Sequence, residues 1–227
     1  MVAATRRLTA KWLPFGVLLV VLFTFVAWSL RVAFLGYDGL SDLTLAGLAN
    51  EALRAVIFVG PVLLYLRYVE KARATRFLRL GAPSREALWL LPVAGAAFGA
   101  WYLLLDETIG DRGMTGVAFV TVLFTVLSPT TLIEEVYFRG FLLNKFWQAT
   151  GFWKANAASS ALFALIHIPG WFALDRFATP LQLAADALGI FVFGLVFGWA
   201  MKKTGSLWPA YALHALNNLL VVAVLGA

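Results

Sequence analysis

Cysteine is absent from this chain of 227 residues, which excludes a disulfide framework, a thiol nucleophile and a cysteine-ligated metal. Charge is scarce as well. Only 13% of the residues are Asp, Glu, Lys or Arg, against about 25% in a soluble domain, and 62% are hydrophobic against about 45–50%. A water-facing surface cannot be assembled from that stock. Disorder is excluded on the same ground, because its signature is low hydrophobicity. Histidine occurs only twice, and no internal repeat, low-complexity tract or linker divides the chain. What remains is an all-α polytopic membrane protein, a single integral domain over 1–227, with N-terminal spans in 1–110 and a second group of helices in 115–226.

A spanning helix needs about 20 mostly apolar residues. Seven stretches qualify, at 12–35, 48–68, 87–105, 115–138, 155–174, 182–201 and 206–226. The first is too long for a signal-peptide core and has no convincing small-residue cleavage site, so it is read as a span. With the N-terminus inside, fourteen of the 18 basic residues fall on the inner side, and only Arg31, Arg54, Arg112 and Arg176 fall outside. The outer segments instead hold Asp38, Asp42, Asp106, Glu107, Asp111 and Asp175. This positive-inside pattern predicts seven spans, N-in and C-out. The basic-apolar alternation from Arg67 to Arg79 predicts an interfacial helix lying on the anionic inner leaflet.

An ionisable side chain at mid-bilayer costs about 2.5–3.5 kcal/mol or more, so each one requires a reason. Here they gather in the C-terminal half. Glu134 and Glu135 stand in Ser-Pro-Thr-Thr-Leu-Ile-Glu-Glu-Val-Tyr-Phe-Arg-Gly, and His167 and His214, the two histidines, both lie inside expected spans. Glu135 and Arg139 are four apart on one helix face, with the acid N-terminal to the base. Glu134 is turned by about 100° from Glu135 and addresses a different neighbour. Phe163 and His167 share a face, as do His214 and Asn218.

Each feature also has a purely structural reading. Thr131-Leu-Ile-Glu134 fits a capping box after Pro129. Glu135–Arg139 fits a structural ion pair, and an intramembrane His or Asn fits interhelical hydrogen bonding. Glu51, Arg54 and Asp186 read as interfacial or structural. In combination, carboxylates, two imidazoles and an amide from three spans are the parts of a hydrolytic site. Glu134 and His167 could activate a water, and His214 with Asn218 could donate to the developing oxyanion. Two histidines and a glutamate are also a zinc set, although no His-Glu-x-x-His motif is present. Metal-independent catalysis, with no cofactor, is the reading taken here and zinc the alternative. A water-filled, conical cavity open to the cytoplasm is expected around these groups. Gly194 and Gly198 would let helices approach it closely.

Glu134-Glu135-x-x-x-Arg139, Phe163-x-x-x-His167 and His214-x-x-x-Asn218, in that order on consecutive membrane segments, resemble the three motifs of the CAAX prenyl protease and bacteriocin-processing (CPBP) family of intramembrane glutamic endopeptidases. The resemblance covers roughly 115–220. It implies that Glu134 and His167 activate water, that His214 and Asn218 form the oxyanion hole, and that Glu135, Arg139 and Phe163 support the site. It implies membrane lipids and a peptide or membrane-associated protein as partners, and no nucleic acid. The Ala/Leu/Arg-rich sequence looks bacterial, which points to a bacterial plasma membrane and makes the prenylated CAAX substrate the least transferable part. A non-catalytic scaffold or immunity protein is the alternative from another class. A transporter is third, because no repeated half-structure is visible.

Overall fold

The computed structural model describes residues 2–37, 44–105 and 129–225, and among these there are helices and turns but no strand. Helix α1 runs Val2–Leu35 and α2 runs Leu45–Leu64, the latter capped by Thr44, whose hydroxyl accepts from the Gly47 amide at 3.1 Å. A π-helical turn, Tyr65–Glu70, extends α2 and ends at Lys71 in the left-handed conformation (φ 54°). The short α3 (Ala74–Phe77) and then α4 (Ala87–Leu105) follow. Past the undescribed stretch come α5 (Pro129–Glu135), a π-helical segment (Val136–Leu143) and α6 (Asn144–Thr150). The remaining helices are α7 (Phe152–Leu165), α8 (Ile168–Ala173), α9 (Pro180–Thr204) and α10 (Trp208–Leu225).

Three stretches are long and apolar enough to cross a membrane: Phe15–Leu35, Leu45–Glu70 and Pro180–Thr204. Their outward faces are apolar. On α1, Leu18, Leu22, Phe23 and Val26 are about half exposed while Val17, Val20, Trp28 and Val32 are buried. Water would not tolerate that surface, whereas hydrocarbon suits it. The chain is an integral membrane protein. The expected span at 87–105 coincides with α4 and that at 206–226 with α10, whereas 115–128 lies outside the described residues.

The centre of the bundle is the continuous rod α5–π–α6. Tyr137, Phe138, Arg139, Phe141, Leu142 and Leu143 are all fully buried in it, the mark of a helix enclosed on every side. Helices α2, α7 and α10 pack around it, α9 packs against α7 and α10, and α4 lies on the outside of α10. Edge-to-face aromatic pairs tie the two halves together, from Trp28 to Phe58 (5.5 Å), Tyr137 (5.4 Å), Phe138 (4.9 Å) and Phe163 (5.1 Å).

Three sequence expectations change here. The span expected at 155–174 is broken: α7 ends at Leu165 and α8 starts at Ile168, because Pro169 has no N–H for the preceding turn. Thr131 is not an N-cap, since it lies inside a helix already formed at Pro129, and its hydroxyl accepts from the Asn218 amide at 3.3 Å. Arg67–Arg79 is not one interfacial helix. Lys71 and Arg79 both adopt left-handed φ, and the segment is folded back onto the protein. A Glu70–Lys145 ion pair, Asn144 donating to the Phe77 carbonyl (3.1 Å) and the Leu207 amide donating to the Arg79 carbonyl (2.9 Å) hold it there.

Close approach at Gly194 and Gly198 is present as expected. A Cβ at Gly194 would lie 2.9 Å from Ser160, and one at Gly198 would overlap the Asn156 carboxamide. Asn156 is buried and donates to the Leu195 carbonyl at 2.9 Å. Gly198→Ala must therefore move a satisfied buried amide and should cost about 1–3 kcal/mol. Thermal unfolding in detergent reads this, and an unshifted midpoint would contradict the packing described.

Candidate active site

Glu135 is fully buried, and its Oε1 accepts from two groups: Arg139 Nη1 at 2.9 Å and His214 Nδ1 at 2.8 Å. Because a carboxylate only accepts, His214 presents Nδ1–H to it. The four-residue spacing of Glu135 and Arg139 survives although the backbone widens into a π-helix just after Glu135. Side-chain donors satisfy carbonyls of the irregular segment: Ser159 Oγ to Phe138 (2.7 Å) and Asn144 Nδ2 to Gly140 (2.8 Å). The Arg139 guanidinium lies 4.1 Å above the Phe163 ring and 5.3 Å from that of Phe197. Phe197 also stacks on His214, with centroids 5.0 Å apart and planes at 19°.

Glu134 points away from Glu135, as its rotation along the helix requires. Its Oε2 lies 3.8 Å from His214 Nε2, so one imidazole stands between the two glutamates. His167 caps α8 at the break between α7 and α8. Its Nδ1 is 2.8 Å from the Phe163 carbonyl, an acceptor only, so Nδ1–H donates and the Nε2 lone pair is exposed. The Phe163 ring touches both imidazoles edge-on, 5.2 Å from His167 and 5.5 Å from His214. The break leaves the Ile166 carbonyl without a helical partner, and the Trp28 indole of α1 donates to it at 3.1 Å.

Glu134 and His167 line one small cavity with Trp28, Tyr37, Arg54, Phe58 and Ile166. Its volume of about 20 Å³ accommodates one water molecule. His214 stands behind Glu134 rather than on the cavity wall. Asn218 is half-buried beside Thr131 and also does not line the cavity. Among the described residues, no three His, Asp or Glu side chains converge as a metal would require.

Two cavity residues were not singled out as functional by sequence reasoning. Arg54, read there as interfacial or structural, is buried on α2, 3.4 Å from Glu51, and donates to the Thr130 hydroxyl at 2.6 Å. Thr130 is one turn before Glu134, so this bond reaches the helix that carries the carboxylate. The signal was available as a cation six residues into the apolar stretch 48–68, but its partner is distant in sequence. Tyr37 carried no signal at all. Asp186 remains a half-buried partner of Gln182 (2.9 Å), away from the cavity.

The ion pair yields a stability prediction. Arg139→Met strands the Glu135 charge and should destabilise by about 3–5 kcal/mol, whereas Glu135→Gln/Arg139→Met should recover much of that loss. Heat-induced loss of the monodisperse peak in size exclusion compares the two. Equal losses would mean the pair is not coupled.

Comparison with known proteins finds a relative and a family model, each over part of the chain. The chain is 35% identical over 92 residues to "Uncharacterized protein YyaK" of Bacillus subtilis (strain 168), an alignment covering 39% of this chain and 28% of that protein. The chain thus spans under a third of that relative's length. No solved structure matches. A family model described as "Type II CAAX prenyl endopeptidase Rce1-like" matches residues 113–220, just under half of the chain. That segment contains Glu134, Glu135, Arg139, Phe163, His167, His214 and Asn218, so over these residues the chain is similar to the Rce1-like CAAX prenyl endopeptidases.

Proposed function

We propose that this protein is an intramembrane endopeptidase that hydrolyses peptide bonds of a membrane-associated peptide or protein near the inner leaflet. The observation that carries the reading is the water-sized cavity with Glu134 and His167 in its wall. The match of residues 113–220 to a family model of CAAX prenyl endopeptidases supports the reaction class. The positive-inside pattern supports a cytoplasmic N-terminus and attack from the inner side.

The mechanism follows from the donors and acceptors. A water in the cavity gives one hydrogen to the Glu134 carboxylate and the other to His167 Nε2, which leaves its lone pair for the scissile carbonyl carbon. As the C–O bond forms, Glu134 takes the proton and the carbonyl electrons move onto oxygen. On collapse the C–N bond breaks, and Glu134 returns the proton to the leaving nitrogen. His214 and Asn218 of α10 are the donors assigned to the oxyanion. With Nδ1–H already given to Glu135, His214 can donate from Nε2 only as the imidazolium. Glu135, Arg139 and Phe163 hold that ring and the helix beneath it.

Detergent-purified protein incubated with a fluorogenic, lipid-tailed peptide library tests this reading. Glu134→Gln and His167→Ala should each lower cleavage by about 10²–10⁴-fold. Activity that survives a strong chelator places the chemistry on these side chains, whereas loss that zinc restores would move it to a metallopeptidase. Cellular function that tolerates Glu134→Gln would instead favour a scaffold or immunity role.

A further inference from the structure

The Rce1-like match stops at residue 113 on its N-terminal side, yet the cavity is closed by residues from outside the matched segment: Trp28, Tyr37, Arg54 and Phe58. Among these, Tyr37 stands in a place built to receive it. Gly36 adopts φ +82°, the left-handed turn that ends α1 and redirects the chain. The turn is closed by the Gly36 amide bonding the Val32 carbonyl at 3.0 Å, and Arg31 Nη1 donates to the Gly36 carbonyl at 2.7 Å. On the opposite side, Gly170 of α8 lies flat against the phenol ring. A Cβ there would lie 2.5 to 2.9 Å from three of the Tyr37 ring atoms. Gly170 is three residues after His167, so the same break that presents His167 also makes room for this ring.

The donors proposed for the oxyanion, His214 and Asn218, do not line the cavity wall, and His214 already gives its Nδ1–H to Glu135. The wall itself carries Tyr37, whose hydroxyl can donate. Burial raises the Tyr37 phenol pKa, the Glu134 charge raises it further, and Arg54 and Arg31 lower it. The net direction is upward, so the hydroxyl keeps its proton at neutral pH.

We infer that Tyr37 is a further catalytic residue of this site, donating its phenolic hydrogen to the scissile carbonyl oxygen as charge develops there, from the wall facing Glu134 and His167. The inference rests on the proteolytic reading above. It makes the N-terminal part of the chain a contributor to the chemistry. The hydrogen bond strengthens as the carbonyl oxygen gains charge, so its loss appears in kcat rather than in substrate binding. No proton leaves Tyr37, because Glu134 carries the proton from water to amine.

The test compares wild type, Glu134→Gln, Tyr37→Phe and Gly170→Ala on one peptide substrate that the wild type cleaves. Each form also receives a thermal unfolding midpoint and a dissociation constant for a peptide aldehyde, whose hydrate resembles the tetrahedral intermediate. Tyr37→Phe should lower kcat by about 10²-fold, as loss of one oxyanion donor does, with KM within about threefold and the midpoint unchanged. It should weaken aldehyde binding about tenfold or more by the same lost bond. Gly170→Ala, which displaces the ring, should lower kcat in the same direction. A Tyr37→Phe protein with wild-type kcat and aldehyde affinity overturns the role of Tyr37, while an inactive Glu134→Gln leaves the proteolytic reading standing. A fall in kcat that tracks a fall in the midpoint also overturns it, in favour of packing. A wild type indistinguishable from Glu134→Gln on every substrate removes the proteolytic reading, and this inference with it.

Discussion

A fully buried carboxylate in a hydrocarbon-facing protein must find its donors within the protein, and Glu135 finds two. Without them its burial would cost several kcal/mol. Arg139, one turn along, neutralises it, and His214, from a helix about eighty residues later, joins the same oxygen. Arg139 is itself fully buried and lies between the faces of Phe163 and Phe197. Those two rings in turn contact the imidazoles. One charge requirement therefore ties α5, α7, α9 and α10 together, and it leaves Glu134 turned toward His214 and the cavity.

The irregular backbone lies where that network needs it. A π-helical segment begins directly after Glu135, and a break falls directly before His167. Non-helical backbone at membrane depth is tolerated only where protein groups satisfy its carbonyls. Here Ser159, Asn144 and the Trp28 indole do so. The Trp28 bond carries a second consequence, because it fastens α1 to the strand of backbone that presents His167. The part of the chain outside the family match is thus a wall of the cavity as well as a lipid-facing shell.

Lipid-facing and site-facing demands divide each helix differently. The outward faces of α1, α2 and α9 are apolar and tolerant of substitution by other apolar residues, since lipid offers no shape to match. The inward faces are held by polar groups whose partners lie far along the chain, such as Arg54 with Thr130 and Asn218 with Thr131. Glycine at Gly194 permits the contact between α9 and the centre on which the Arg139 stack depends.

Composition by itself determined that the chain is helical and resides in a membrane, because 62% apolar residues leave no other solvent for its surface. Local spacing determined the Glu135–Arg139 pair and the opposite heading of Glu134, since both follow from one residue per 100° of helix. Motif order pointed to His167, His214 and Asn218 as companions of the glutamates, and to the family. Tertiary structure alone decided that His214 stands between Glu134 and Glu135 and that Asn218 turns to Thr131. It also decided that Arg54 is buried at the cavity rather than lying at the interface, and that Tyr37 completes the wall. Helical periodicity carries information over a turn or two. Contacts made across 76 to 138 residues of chain, such as Arg54 to Thr130 and Trp28 to Ile166, depend on how whole helices pack.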